Sequence, residues 1–442
     1  MIYDFTLVLH SDRILTMKPI EKTTLNDHFW QPLLSVFDRS RWTRQCSQYE
    51  DLAHLKSGVA RVVHSKDSGR GWVQNLCLYF SEMTFSVGNF FDALKSKRRL
   101  AFVAEMDDAL ADETDARVLK EGNDPFAGHR ELEKFHIYAT DGHSIGASAH
   151  ESPIKGKKRA VNHIFSLSLR THSLRYVDLC NAQGKQKKEH EIKKLKSLQI
   201  STLRMGAPKG TKVIHAYDPA IVDYTFWHKC KQNGIYFITL EKANSALLKC
   251  GDFDYDPEDS RNEGVQSDEM VGSSGGEAIR RVVYCDAESS KTYTFLTGEM
   301  TLPPGIIAFI YKCRWDIEKV FDQSKNKLGE GKAWAKSETA KKQQAHFICM
   351  AHNLILLLSM KMEKDEGITD KKNSQHRAKR KEQANQKAKL NKLVVNSLVA
   401  KLDRPTQCCL QFIRWLRISL IKKLPYSQAV QELRPLMLRY LK

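Results

Sequence analysis

The stretch YKCRWDIEKVFDQSK, residues 311–325, decides how the chain is read. Wound as an α-helix at about 100° per residue from Tyr311, it brings Arg314 to about 300°, Glu318 to about 340° and Lys325 to about 320°. These four polar side chains share an arc of roughly 60°. Ile317, Phe321 and Leu328 fall beside it, at about 240°, 280° and 260°, so the strip borders a face that packs on a core. A boundary between buried and open surface is where a site belongs. An ordinary surface helix with an Arg314–Glu318 ion pair at i,i+4 shows the same spacing and gains only about 0.2–0.5 kcal/mol from it. The strip therefore needs company.

Two aspartates supply it. FHIYATDG (135–142) runs into Asp141, and KVIHAYD (212–218) ends on Asp218. Both follow short runs rich in β-branched and aromatic residues, which read as buried strands. A lone aspartate at such a place is as readily a turn former or helix cap, but ligands of open α/β sheets gather at the carboxyl ends of strands. Two such acids with Glu318 on a following helix would repel one another unless a cation lay between them. Divalent ions about 3.5–4 Å apart are the usual occupants of a three-carboxylate site.

The rest of the chain sets the frame. Residues 1–130 read as helical, with the basic runs RSRWTR (39–44) and LKSKRRL (94–100) on the helical surface. From Glu133 the pattern becomes strands interleaved with the charged helix KKEHEIKKLKSLQIST (187–202) and the helix IVDYTFWHKCKQNG (221–234), a mixed α/β sheet. A polar loop (252–277) leads to two strand-like runs, IRRVVYCDA (279–287) and KTYTFLTGE (291–299), read as a small β insertion. The pattern is helical from Ile306 through Leu358. Residues 371–392 hold nine Lys or Arg and one acid, either a solvated linker or a contact to a DNA backbone. The expected division is 1–130, a core of 131–245 plus 303–360, an insertion of 246–302, and a basic linker with closing helices at 361–442.

Composition narrows the function. The 442 residues carry 70 Lys and Arg against 52 Asp and Glu, a net charge of +18 that suits a polyanionic partner. No stretch reads as long enough to span a bilayer, and the N-terminus has no signal-peptide pattern, so a cytoplasmic, nucleoid-associated protein is expected. The ten cysteines include no Cys-x-x-Cys pair, which argues against zinc and disulfide frameworks. No phosphate-binding loop motif appears. His136, His143 and His215 flank the acids without metal-ligand spacing and read as structural.

The spacing Tyr311-x2-Arg314-x3-Glu318-x6-Lys325, preceded by Asp141 in a Thr-Asp-Gly context and by Asp218, resembles the bacterial insertion-sequence DDE transposases of the insertion-sequence-four type. TYTFLTGEMTLPPGIIAFIYKCRW (292–315) and AHNLILLL (351–358) add to the likeness, which covers roughly residues 130–360. The resemblance implies a ribonuclease-H-like sheet flanked by helices, with a β insertion before the last catalytic helix. It implies Asp141, Asp218 and Glu318 as catalytic ligands of two Mg²⁺ or Mn²⁺ ions, with Asp223 as the fallback second ligand. It further implies Tyr311, Arg314 and Lys325 as contacts to double-stranded DNA, at element ends and target, in a homodimeric complex without a membrane. The chain departs from relatives at Pro219 and Ala220 after Asp218, and at Leu240, where they often carry an arginine. It also has no tryptophan between Trp227 and Trp315 to hold a flipped base, so Tyr284, Tyr293 or Phe295 would have to serve. A nuclease that only cuts, or a derivative that only binds DNA, are the competing readings; an RNA-binding protein ranks third.

Overall fold

The structure, a computed structural model, describes residues 23–40, 49–64, 68–76, 80–81, 85–122, 124–146, 152, 160–180, 191–272, 276, 278–286, 290–367, 382, 386 and 407–441. Among them, β1 (Phe135–Ile145), β2 (Val161–Ser168) and β3 (Leu174–Cys180) pair antiparallel, while β4 (Lys212–Tyr217) runs parallel to β1 and β5 (Ile235–Leu240) parallel to β4. The order β3-β2-β1-β4-β5 is that of the expected ribonuclease-H-like sheet. Every residue of β2 is buried. That is the mark of a strand covered on both faces, where an apolar run replaces alternation.

Two helical layers cover the sheet. On one face Ile137, Ala139, Ile214 and Ala216 pack with α8 (Pro304–Cys313) and α9 (Trp315–Asp322). On the other, Tyr138, Val213 and Tyr217 pack with α6 (Glu191–Ser197) and α7 (Tyr224–Lys231). The charged helix expected over 187–202 is shorter than its sequence suggested. Its first residues lie outside the described ones, and after Ser197 the chain tightens into a 3₁₀ turn, Ile200–Arg204. α7 starts where Asp223 caps the backbone N–H of Phe226 at 2.8 Å.

The expected insertion, 246–302, holds four strands where the sequence suggested two. Two further strands, β6 (Leu248–Asp252), just before the polar loop, and β7 (Val265–Gly272), within it, lie beside β8 (Ala278–Asp286) and β9 (Lys291–Thr297). Because β9 pairs antiparallel with β5, these strands prolong the core sheet to nine strands, order β3-β2-β1-β4-β5-β9-β8-β7-β6, and are not a unit set apart. The short, polar LKCGD had masked β6, and the polar run Gln266–Glu269 had masked β7. One acid of that run, Asp268, is buried and pairs with buried Arg280 at 2.7 and 2.5 Å, and Arg280 also donates to the carbonyl of Leu302 at 2.7 Å. Gly305, the second residue of α8, sits so close to Arg261 that a Cβ would lie 1.7 Å from its carbonyl oxygen. Only glycine lets the helix start there.

The long helix expected from Ile306 to Leu358 is broken. α8 ends at Cys313, the turn at Arg314 tightens to an i→i−3 bond from its N–H to Tyr311, and α9 closes in a π-turn at Gln323–Lys327. α10 (Glu338–Glu366) then follows, capped by Ser337 and ended by Gly367 at φ 61°. α10 corrects a second expectation. By length and composition it could cross a membrane, yet 78% of its most apolar window is buried inside this protein. A helix wrapped on all sides is apolar all round. Its neighbours are α1 (Leu25–Arg39), α2 (Asp51–His64), α4 (Val87–Lys95), α5 (Lys97–Lys120) and the sheet. The closing helices Leu410–Lys422 and Tyr426–Leu441 join the same bundle, tied to the N-terminal region by Leu25 N–H to the Leu424 carbonyl at 2.9 Å.

Asp268→Ala leaves the Arg280 guanidinium buried without its carboxylate, and is expected to lower stability by about 3–5 kcal/mol, read as a fall in the denaturant midpoint. Leu248→Lys, on the outer strand where the side chain is 77% exposed, is expected to leave that midpoint unchanged.

Candidate active site

The pairing of β1 with β4 brings the two aspartates together. The last matched residues are Thr140 and Tyr217, so Asp141 and Asp218 are the next residues along the two chains from one level of the sheet. β1 does not stop at Asp141, as its sequence suggested, but continues to Ile145 alongside β2; what ends there is the pairing with β4. Asp218 leaves the sheet through a turn in which its Oδ1 accepts from Ala220 N–H at 2.9 Å.

α9 brings the third acid. Arg314 opens it, buried to 4% exposure, and its guanidinium donates to Glu318 Oε1 at 3.0 Å and to Asp141 Oδ2 at 3.5 Å. The kink at Arg314 keeps right-handed backbone angles, φ −53° and ψ −34°, so Arg314 and Glu318 stay on one side of the chain as helical spacing expects. Burial is the largest influence on Asp141 and, with the charges of Asp218 and Glu318, pushes its carboxyl up to about 6 against the pull of Gly142 N–H and Arg314. The three acids thus lie close enough for Asp141 to feel the other two. Among the described residues no three acidic, histidine or cysteine side chains are gathered tightly enough to enclose an ion. Asp141 and Glu318 face one another across a guanidinium.

The transposase DDE domain family matches residues 112–354, more than half of the chain. The chain belongs to this family. No curated protein matches the sequence. As a DDE transposase it acts on DNA, and the family works with divalent metal ions. The donor set fits such ions: three carboxylates offer hard oxygen ligands, and a cationic group already lies between two of them.

Other expected residues fall elsewhere. Tyr311 is 6% exposed, its ring 5.1 Å from Phe295 and 5.5 Å from the Arg314 guanidinium, because the end of α8 is pressed onto β9. Its ring therefore lies against Arg314 and not open to a DNA end, and burial pushes its hydroxyl up to about 12. Lys325 is exposed in the π-turn. Asp223 is committed to capping α7 and to Lys196 at 2.5 Å. Tyr284 and Phe295 are buried and Tyr293 is half-buried, so the first two present no free face, whereas Trp315 beside Arg314 is 57% exposed. In LKSKRRL, Arg98 pairs with Asp51 at 2.6 Å and Arg99 is buried against the Tyr49 carbonyl, so two of its four cations serve the bundle. Arg41–Arg44 of RSRWTR and nearly all of 371–392 lie outside the described residues.

The histidines differ among themselves. His215 donates from Nε2 to the Leu203 carbonyl at 2.7 Å and accepts from Thr140 at Nδ1, 2.8 Å, while burial draws it down to about 4. It braces the strand face behind Asp141 as a neutral ring. His136 is half-buried and likewise lowered by burial. His143 meets Glu330, a residue no periodicity or motif had marked: it stands between two glycines, beyond the helix whose spacing drew attention.

The raised carboxyl of Asp141 favours folding below about pH 4, the unfolded value, and loses that contribution as pH rises through about 6. Without added divalent ions, Asp141→Asn is therefore expected to be more stable than the wild type at about pH 8, by about 1–3 kcal/mol, with the two converging below about pH 4. Thermal unfolding across pH checks this.

Proposed function

We propose that this transposase is of the insertion-sequence-four type, cutting DNA at the ends of its own element and joining those ends to target DNA. The observation that carries the reading is that Arg314 joins Asp141 to Glu318, at 3.5 and 3.0 Å, where the β1–β4 pairing ends and Asp218 follows. Asp141, Asp218 and Glu318 would hold two divalent ions, which supply Lewis-acid chemistry for phosphodiester displacement.

The remaining work belongs to the chain itself. Arg314, already among the carboxylates, is suited to grip a phosphate oxygen with its guanidinium. Tyr311 holds that guanidinium from behind. Lys325, exposed one short turn beyond α9, adds a point charge for the DNA backbone. The net charge of +18 draws DNA from a distance and makes the binding salt-sensitive. Two ends must be held together for joining, so two copies act in one DNA complex.

Asp141→Asn, Asp218→Asn and Glu318→Gln are each expected to slow single-turnover cleavage of end-bearing duplex in Mg²⁺ by about two to three orders of magnitude while leaving DNA affinity largely intact. Undiminished cleavage in any of the three removes that residue from the site. A strand-transfer assay on plasmid DNA separates this reading from a nuclease that only cuts, since the nuclease yields no joined product.

A further inference from the structure

Two residues beyond Asp141, on the same face of β1, a second polar pair is buried. His143 Nε2 lies 2.8 Å from Glu330 Oε2, with the two residues 7% and 4% exposed. The imidazole stacks on Phe321, centroids 4.5 Å apart and planes inclined by 22°. Phe321 also meets Phe165, at 5.8 Å, the residue of β2 directly opposite Asp141. Along α9, Phe321 follows Glu318 by three residues, roughly one turn. Glu330 reaches His143 from the segment that leaves α9, and that segment is anchored at both ends. Gly329 N–H donates to the Val62 carbonyl at 2.6 Å, and Trp334 N–H to Gln344 Oε1 at 2.9 Å.

The pair is an unusual choice for filling space. Glu330 Oε1 is buried with no hydrogen-bond partner, and a carboxylate kept in that condition is costly. Apolar side chains of similar volume would close the gap without that cost, but they would not define which part of α9 lies over Asp141. A directional bond and a near-parallel ring stack do, and registry is the best-attested use of a buried polar pair.

We propose that His143 and Glu330 are positioning residues for the acidic site. Through the stack on Phe321 they hold α9 at the level on β1 where Glu318 faces Asp141. Neither touches a reacting group. The proposal rests on the reading of Asp141 and Glu318 as ion-holding carboxylates.

The test is Mn²⁺ binding to the full chain, followed by electron paramagnetic resonance, with duplex affinity and cleavage rate measured beside it. Glu330→Leu is expected to weaken Mn²⁺ binding about tenfold or more, the scale found for partners that orient metal-holding side chains, and to slow cleavage with DNA affinity unchanged. Glu330→Gln, which keeps an acceptor for His143, is expected to restore most of both. Phe321→Leu leaves the buried pair intact and removes the stack. It is expected to weaken Mn²⁺ binding in the same direction, and it decides the matter if thermal unfolding shows that Glu330→Leu does not fold. A folded Glu330→Leu or Phe321→Leu protein with wild-type Mn²⁺ affinity overturns the proposal. Asp141→Asn is the reference. If it too leaves Mn²⁺ affinity unchanged, the reading of the acidic site fails; if it alone weakens binding, only the positioning role fails.

Discussion

Where two parallel strands of a buried sheet stay paired up to one level, the residues that follow that level on each chain are brought near one another. In this protein the strands are β1 and β4, the matched level is Thr140 beside Tyr217, and the residues that follow are both aspartates. Reaching that arrangement requires the chain to leave β1, return through β2 and β3, cross by α6 and come back parallel, some seventy residues later by number. The residues around the pair serve this register. Thr140 and His215 bond to one another across it on one face, and Ala139 and Ala216 leave room on the other for α9 to approach.

Bringing like charges together in a partly buried place raises their energy, and the fold answers locally. Arg314 is that answer, with the Tyr311 and Trp315 rings 5.5 and 5.3 Å from its guanidinium. Asp141 is still pushed up to about 6 with the arginine in place, chiefly by burial and in smaller part by the charges of Asp218 and Glu318.

Much of this was legible in the residues. Asp141, Asp218, Arg314 and Glu318 could be named because strand ends and helical spacing are local patterns, and the resemblance joined them. What was lost was lost for physical reasons. β6, LKCGD, is an edge strand that is almost wholly exposed and so needs few apolar residues, and β7 hides because Gln266, Ser267, Asp268 and Glu269 break its apolar pattern. The breaks at Arg314 and Gln323 do not alter the periodicity enough to be seen, since a tightened turn and a widened one offset each other. Glu330 was invisible because its role depends on His143, 187 positions away. The orientation of Tyr311 was missed for a related reason: spacing shows which side chains share a helix face, but not what presses on that face.

α10 constrains how the two halves of this chain can be inherited. One flank of this helix, through Phe347, Met350 and Leu354, belongs to the bundle formed by the N-terminal and closing helices; another, through Ala345 and Cys349, belongs to the layer over the sheet. Asn353 meanwhile bonds both the N–H and the carbonyl of Leu174 on β3, at 2.9 and 3.0 Å. A single rod thus serves as the inner wall of two compartments. Such a chain does not divide into exchangeable cassettes. A chimera that took its catalytic half from one parent and its helical ends from another would have to reconcile both ancestries within the side chains of one helix, so change in either half is answerable to the other.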